Sequence, residues 1–376
     1  MRGGPERAIP FRSRGHGRAR DVSNADSFED VVKTRRDEKV AEFDLIEKNV
    51  FHRLHSLLHR TPALVPLIVL VVAVIVFGLI NQNFWRISTL SLIFQQIGIV
   101  GILGIAQSLV VLTAGIDLSV GAMAVLTSVI MGQFTFRYGL PAEVSIAIGL
   151  AAGTLMGAIN GVLVARMRIP PFIVTLGTWQ VFLATNYIYS ANETIRSQDI
   201  EANAPSLQFW GSAFNFAGAR VTLAVVLLIV LVAVMAYVLR HTAWGRHVYA
   251  VGDDPEAAEL AGVPRKRVLI QAYALAGFFC GIAGWVMIGR FGSVSPSAST
   301  GILGNIQAVT AVVIGGISLF GGRGTIVGMF LGALIVGVFE MGLRMAGADA
   351  QWTYLLIGVL IIAAVAVDQW IRKVSA

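Results

Sequence analysis

The sequence predicts an all-α, polytopic integral membrane protein with about ten transmembrane helices and both termini in the cytoplasm. Two compositional observations support this prediction: 56% of the residues are hydrophobic and only 14% are charged, whereas soluble domains carry about 25% charged residues. The third observation is that the charges cluster, leaving continuous apolar runs near the length of about 20 residues that a membrane-spanning helix needs. Because barrel strands alternate instead, these runs favour helices.

The ten predicted spans follow one another along most of the chain. They cover about residues 63–80, 91–112, 117–134, 142–164, 171–190, 220–239, 268–289, 303–318, 325–343 and 352–367. The third and the eighth are short or broken, and the breaks beside them are rich in glycine instead of charge. Basic residues concentrate in the N-terminal tail and in the loops on its side of the membrane, so the positive-inside rule places both termini in the cytoplasm.

The first 60 residues form a separate segment, which we predict to be a cytoplasmic tail over residues 1–60. Apolar residues recur there at helical spacing from about residue 28 to residue 59, which suggests an amphipathic helix lying on the membrane or on a partner. A tail without a specific role is the alternative. Since the first apolar run lies far from the N-terminus, it predicts an uncleaved span and not a signal peptide, and residues 61–376 form the transmembrane domain.

Several kinds of chemistry lack the residues that they need. No Gly-Lys pair occurs, so the chain carries no P-loop and no nucleotide-binding site of its own. The single Cys280 excludes a disulfide framework, and neither an H-E-x-x-H motif nor a Cys/His cluster supports a metal centre. The net charge of +7 follows membrane topology and not a nucleic-acid surface. We therefore predict no catalytic residue, no metal and no cofactor bound by this chain.

Asp117 is the one carboxylate that falls well inside an apolar stretch. An ionisable group at such a position is costly and is by default a functional hypothesis, here a proton or cation site. The alternative is structural: Asp117 caps the following helix by accepting hydrogen bonds from its free backbone N–H groups. The preceding Gly115 and the following Ser119 suit such a helix start, so the cap is the preferred interpretation.

Two Gly-rich segments, residues 115–121 and 316–322, share the pattern G-I-x-L-x-x-G, and each follows an apolar run. Paired interrupted segments of this kind point to broken helices near a substrate path in transporters. Chance similarity in a chain rich in Gly and Leu is the alternative. Residues 292–301 contain many hydroxyl groups and almost no large apolar side chain, which predicts an outer or re-entrant loop.

Neutral polar side chains and one aromatic ring lie within the predicted spans, and they suit a polyol path better than an ion path. Together with Asp117, the candidates for such a path are Gln95, Gln96, Ser119, Asn160, Thr178, Trp179, Asn305 and Gln307. The alternative is that these groups only tie helices together by hydrogen bonds across the bundle.

A charged, helix-prone run between two apolar spans is the most informative stretch of the chain. In residues 252–262, the triplet Glu256-Ala257-Ala258 is followed four positions later by Gly262. This spacing resembles the EAA loop of bacterial ABC importer permeases, a short cytoplasmic helix that docks into a separate ATPase subunit. The resemblance implies that the ATPase-coupling residues are Asp254, Glu256, Ala257, Ala258, Glu259 and Gly262.

Three further stretches, residues 112–121, 244–252 and 311–325, resemble the ribose-type branch of bacterial ABC sugar permeases in order and spacing, and the likeness extends over about residues 62–373. Within this ribose, xylose and fructose group, residues 189–196 and 368–373 look most similar to fructose permeases. The Ile-x-Leu-Pro ending of the broader permease loop is absent here, as it is in this branch.

The resemblance implies a permease subunit that moves a monosaccharide (fructose, ribose or xylose) across the bacterial inner membrane by alternating access. It implies a homodimer in membrane lipid, a cytoplasmic ABC ATPase that uses ATP and Mg, and a periplasmic sugar-binding protein, with no nucleic acid and no enzymatic activity in this chain. One alternative is a secondary transporter using Asp117, for which Glu340 is the only other intramembrane carboxylate. The second alternative is a structural or channel-forming protein, but this alternative does not explain the acidic loop.

Overall fold

The computed structural model describes residues 63–375, and this part of the chain is mostly helical. In chain order the elements are α1 (Leu64–Ile80), α2 (Ile87–Leu112), α3 (Val120–Phe136), α4 (Ala142–Met167), α5 (Pro171–Ser190), α6 (Ser197–Asn203), β1 (Ala213–Phe216), β2 (Ala219–Thr222), α7 (Leu223–His241), α8 (Ala243–Asp253), α9 (Pro255–Leu260), α10 (Arg265–Phe291), α11 (Ala298–Ile314), α12 (Ile326–Met345) and α13 (Ala350–Ser375). The tail predicted over residues 1–60, with its amphipathic helix, lies outside the described residues.

Each predicted span coincides with one of the longer helices, and the fifth matches α5 at both ends. Among the described helices, α2, α4, α7, α10 and α12 are long and apolar enough to cross a membrane by length and composition. The helices α1, α3 and α11 are apolar but have 17 residues each, and α13 contains the shorter apolar stretch Gln351–Ala363. These helices support a multi-pass membrane protein, while the count of ten spans and the side of the termini stay predictions.

The all-α prediction is wrong in one place, because β1 and β2 form an antiparallel hairpin in which Ala213 pairs with Thr222. The two residues between the strands, Ala217 and Gly218, both have positive φ. Two-residue hairpin loops require such backbone angles, because the resulting turn matches the twist of the strands. The sequence did not reveal the hairpin because its strands have only four residues and its turn lacks the usual Asn-Gly or Asp-Gly pair.

The centre of the bundle is α10, which packs against α4, α2 and α3. Its closest approach is to α4, where glycines of each helix face the backbone of the other. A Cβ atom at Gly157 would meet the carbonyl oxygen of Tyr273, and one at Gly277 would meet the carbonyl oxygen of Gly153. Small residues allow this backbone-to-backbone packing, which replaces the hydrophobic driving force that lipid cannot supply between helices.

The segment between α10 and α11 is re-entrant. Val294 forms an isolated antiparallel bridge with Ile195 and lies against Gly132 near the C-terminal end of α3. Only a few residues later, Gly301 of α11 lies against Gly121 at the N-terminal end of α3. The chain therefore runs back along α3 before α11 begins, as the re-entrant alternative for residues 292–301 predicts, and α11 starts inside the bundle.

Candidate functional site

The break between α2 and α3, residues 113–119, carries non-helical backbone into the interior of the bundle. Thr175 Oγ1 donates to the carbonyl of Ile116 at 3.0 Å, and Asn305 Nδ2 donates to the carbonyl of Leu118 at 2.9 Å. Irregular backbone at membrane depth is tolerated only where protein groups or a water-filled cavity satisfy it. Side chains from α5 and α11 therefore hold this break in place.

Gln107 of α2 holds the middle of the same break. With its amide oriented to suit its neighbours, Gln107 donates to the Asp117 carbonyl at 2.8 Å and accepts from the Asp117 N–H at 3.3 Å. Both main-chain groups of Asp117 are thus paired with one side chain. Gln107 is fully buried, and nothing in the neighbouring sequence marks it as a glutamine that faces a loop.

The carboxyl group of Asp117 is fully buried and organises the start of α3. Its Oδ1 accepts from the N–H of Ser119 at 2.7 Å and from the Ser119 hydroxyl at 2.6 Å. Asn160 of α4 donates to the Ser119 hydroxyl at 3.0 Å. The capping interpretation is wrong in its detail, because Asp117 accepts from Ser119, the residue that precedes α3, and not from the first free N–H groups of the helix. Asp117 instead fixes the residue from which α3 starts.

The other path candidates lie in separate places. Gln95 of α2 donates to the carbonyl of Arg220 at 2.8 Å and accepts from Arg290 at 3.4 Å, so it joins α2 to the end of β2 and to α10. Its neighbour Gln96 is half-buried. Gln307 of α11 donates to Glu340 of α12 at 3.3 Å. The nine candidates therefore do not form one cluster, and their assignment to a substrate path stays a prediction.

A third location involves Trp179 and Thr178 of α5. Trp179 borders a cavity of about 10 Å³ between α3, α5 and α11. The same cavity is lined by Asn186, a fully buried residue whose two amide atoms have no hydrogen-bond partner in the described chain. Thr178 is half-buried and donates to the carbonyl of Thr175 in its own helix at 3.4 Å. The sequence alone does not distinguish Asn186 from other polar residues in the spans.

The predicted coupling loop forms two consecutive helices, α8 and α9. The Asp254 carboxylate caps α9 by accepting from the N–H groups of Glu256 and Ala257 at 3.0 and 2.9 Å. Pro255 occupies the first helical position, where its missing N–H is not needed. Gly262 has a φ of 84°, the left-handed geometry that commonly ends a helix. The helix therefore begins and ends where its sequence favours it.

The helix α8 anchors this pair to the bundle. Gly252 lies against the carbonyl of Leu112 and the N–H of Gly322, and these two groups are hydrogen-bonded to each other at 3.0 Å. The Tyr249 hydroxyl donates to the carbonyl of Gly324 at 2.9 Å, and burial raises the pKa of this hydroxyl. The second Gly-rich segment thus meets α8 and the C-terminal end of α2, just before the first Gly-rich segment.

The surface of α9 divides into a buried and an exposed side. Ala258 packs into the core and is 6% exposed, whereas the next residues, Glu259 and Leu260, project outward. Leu260 is 92% exposed, the largest value among the exposed large hydrophobic residues of the described chain. Because α9 also carries Glu256 and Glu259, it cannot lie in hydrocarbon. The exposed leucine on an acidic helix therefore suits contact with another protein.

Beside α9 lies a cavity of about 410 Å³, bounded by the turn between α4 and α5, the beginning of α10 and the break after α2. Arg168, Arg265 and Lys266 line it together with Glu259, and Tyr273 lies at its inner side. Within residues 63–375 no three His, Cys, Asp or Glu side chains are grouped as a metal site would need. The described residues thus present an exposed acidic helix, α9, and a cavity beside it that is lined by charged side chains.

Comparisons with known proteins identify similar chains. A family model described as "Branched-chain amino acid transport system / permease component" matches residues 89–365. The chain is 63% identical over 338 residues to the fructose import permease protein FrcC of Rhizobium meliloti, covering 90% of this chain and 93% of that protein. It is 34% identical over 302 residues to the ribose import permease protein RbsC of Escherichia coli K12, covering 80% and 92%.

A more distant relative is the autoinducer 2 import system permease protein LsrC of Photorhabdus luminescens, which is 31% identical over 314 residues and covers 82% of this chain and 92% of that protein. No solved structure is significantly similar to the chain. The matched region begins within α2 and ends within α13, so it contains the break after α2, the cavity beside Trp179, and the helix α9.

Proposed function

Because this chain belongs to the permease-component family of branched-chain amino acid transport systems, and within it to the ribose- and fructose-type sugar permeases, we propose that it is the permease subunit of an ABC importer for a monosaccharide. Fructose is the first candidate, since the relative at 63% identity is named a fructose import permease. Ribose is the second, from the relative at 34% identity, and xylose is the third.

The observation that best supports this function is the form of α9. A six-residue helix with a fixed start and a fixed end presents Leu260 outward on an otherwise acidic surface. A permease without a nucleotide site of its own needs such a rigid protrusion to receive force from a separate ATPase. Asp254, Glu256, Ala257, Glu259 and Gly262 form the contact surface around Leu260 in this proposal, and Ala258 fixes the helix to the core.

The proposed topology has ten spans, both termini in the cytoplasm and residues 61–376 as the transmembrane permease domain. Residues Arg265, Lys266 and Arg267 at the start of α10 then lie in the cytoplasm beside α9, in agreement with the positive-inside rule. Two copies of the chain, two ATPase subunits that use ATP and Mg, and a periplasmic sugar-binding protein complete the importer in the bacterial inner membrane. The chain itself binds no cofactor and catalyses no reaction.

The proposed mechanism is alternating access driven through α9. ATP binding closes the ATPase subunits and shifts α9, and α8 transmits the shift because it lies on the end of α2, which leads into the first Gly-rich segment, and on the second Gly-rich segment. Those segments precede α3 and α12, and the re-entrant segment precedes α11. In transporters, helices that are interrupted inside the bundle lie at the substrate site, so a shift of these helices relative to α10 would open and close the path.

Asp117 discriminates between this mechanism and a secondary transporter. We expect Asp117→Asn to keep ATP-driven uptake, because the remaining carbonyl oxygen still accepts from the N–H and hydroxyl of Ser119. Asp117→Leu leaves these donors unpaired and should lower the free energy of unfolding by about 1–3 kcal/mol. Thermal unfolding in detergent and uptake by proteoliposomes measure the two effects. Loss of uptake in a stably folded Asp117→Asn protein would instead favour proton or cation coupling.

The sugar is identified by ATP hydrolysis in the reconstituted complex. The permease is co-reconstituted with its ATPase, and the binding protein is supplied with fructose, ribose or xylose in separate samples. We expect fructose to give the largest stimulation of ATP hydrolysis. Stimulation by ribose or xylose alone would reassign the substrate and leave the importer function intact, whereas no stimulation by any monosaccharide would contradict the proposed sugar import.

A further inference from the structure

Asn186 of α5 is a buried amide without a partner. Its side chain is 0% exposed, and neither Nδ2 nor Oδ1 forms a hydrogen bond within the described chain. An unpaired amide in an apolar interior is destabilising, whereas an apolar side chain of similar volume is not. No contact within the described chain therefore uses this amide, which leaves it free to bind a group that enters the cavity beside it.

The surroundings of Asn186 combine an aromatic ring, small apolar residues and one hydroxyl group, that of Ser297. The cavity that it borders is lined by Ala122 and Val125 of α3, Trp179 and Leu183 of α5, and Ser297, Ala298 and Gly301 at the start of α11. An apolar wall with an aromatic ring and a few polar groups is the usual lining of a small-molecule site. Charged side chains are absent from this lining, which suits a neutral polyol.

The position of the cavity in the fold also favours a binding site for a neutral polyol. It lies where α11 begins inside the bundle, with Ser297 accepting from the N–H of Thr300 at 3.3 Å at the helix start. Transporters place substrate groups at the ends of such interrupted helices, where main-chain groups are free to bind them. The re-entrant segment that leads to α11 also connects this point to the loop region around Ile195.

We propose that Asn186, Trp179 and the start of α11 form the binding site through which the sugar passes, and that the described conformation is its closed state. The inference rests on the proposed function, since it assigns a place to the sugar within the same permease. The Asn186 amide both donates to and accepts from sugar hydroxyls, and Trp179 packs against the apolar face of the ring. In the closed state the cavity of about 10 Å³ is only the size of a single water.

Opening of the site requires α5 or α11 to move. Among the longer helices α5 packs mainly on α3 and α4, and much of its surface is exposed. The helix α3 is buried along most of its length by comparison. A displacement of α5 away from α3 would therefore widen the cavity with less loss of packing than a displacement of α3 would cause. In the widened cavity the Asn186 amide would be accessible to the sugar.

The test compares Asn186→Leu with the adjacent control Thr185→Val in the full importer. Thr185 is exposed and its hydroxyl donates only to the carbonyl of Val181 in its own helix, at 2.8 Å. We expect Asn186→Leu to unfold at the same temperature as the wild type or higher, because it removes an unpaired buried amide. Uptake of fructose into proteoliposomes should fall about tenfold, the effect of losing hydrogen bonds to the sugar. Thr185→Val should leave both measurements unchanged.

A second variant measures selectivity, which a purely structural residue would not affect. Asn186→Ser keeps a hydroxyl but shortens the side chain, so we expect it to change the ratio of fructose uptake to ribose uptake. Uptake at the wild-type level by the Asn186→Leu variant would overturn the inference. A lower unfolding temperature of that variant would overturn it as well. If the wild-type complex shows no ATP-driven uptake of any monosaccharide, the proposed function fails first and this inference fails with it.

Discussion

Replacement of Leu260 by aspartate is expected to abolish the coupling between sugar and ATP hydrolysis. Leu260 is 92% exposed on α9, so the substitution removes no packing within the described chain. At the docked interface, however, a buried apolar anchor becomes an unpaired charge, a change that typically costs several kcal/mol. We expect sugar-stimulated ATP hydrolysis in proteoliposomes to fall about a hundredfold, since each tenfold change corresponds to about 1.4 kcal/mol.

The matched control is Leu260→Met, which conserves volume and apolar character and should retain stimulation. Both variants should insert and unfold like the wild type, because α9 is held by Asp254, Ala258 and Gly262 and not by Leu260. Co-purification of the ATPase with each variant separates weak docking from failed transmission. Full stimulation in Leu260→Asp would show that α9 does not dock by this residue.

Replacement of Gly157 by alanine is expected to destabilise the bundle. A Cβ atom at Gly157 would press on the backbone of α10, with the Cα atom of Gly277 3.0 Å away and the Tyr273 carbonyl nearer still. Backbone atoms of the central helix have no alternative position, so the two helices must move apart. We expect a loss of about 1–3 kcal/mol in stability, typical of overpacking, and a lower unfolding temperature in detergent.

Gly98 of α2 provides the matched control, because a Cβ atom there would meet only the Ala224 side chain, at an ordinary contact distance of 3.9 Å. Both glycines are buried in the interior of a helix. Since alanine favours a helix over glycine by about 1 kcal/mol, Gly98→Ala should match or exceed the stability of the wild type. The two substitutions should change the stability of the protein in opposite directions, which separates the effect of helix propensity from that of packing. Equal changes in stability would refute the close packing of α4 on α10.

The sequence was sufficient to predict the helices and insufficient to predict the contacts between them. Apolar run length identified the ten longer helices of residues 63–375. Pro171 at the start of α5 and Ala191 after its end leave this helix at its predicted bounds. The ends of α9 were also predictable, since Asp254 and Gly262 are residues whose local chemistry favours a helix start and a helix end. These features depend on neighbours in sequence.

The candidate site depends on neighbours in space, which the order of residues along the chain does not reveal. Asp117 stood out as an isolated carboxylate, but its partner Ser119 and the supporting bonds from Gln107 and Asn305 required the packing of α2 and α11 around the break. Asn186 is chemically like Asn160 in the sequence, although only Asn160 donates a hydrogen bond to another side chain. Hydrophobicity patterns do not distinguish an amide that donates a hydrogen bond across the bundle from one that forms none.

The central claim is that ATP, transmitted through a separate subunit, drives sugar through this chain. The most direct measurement is uptake of labelled fructose into proteoliposomes that contain the permease and its ATPase, with ATP inside, the binding protein outside, and ion gradients removed by ionophores. We expect uptake that requires ATP and the binding protein and persists without ion gradients. Uptake driven by a proton gradient in vesicles that contain only this chain would contradict it.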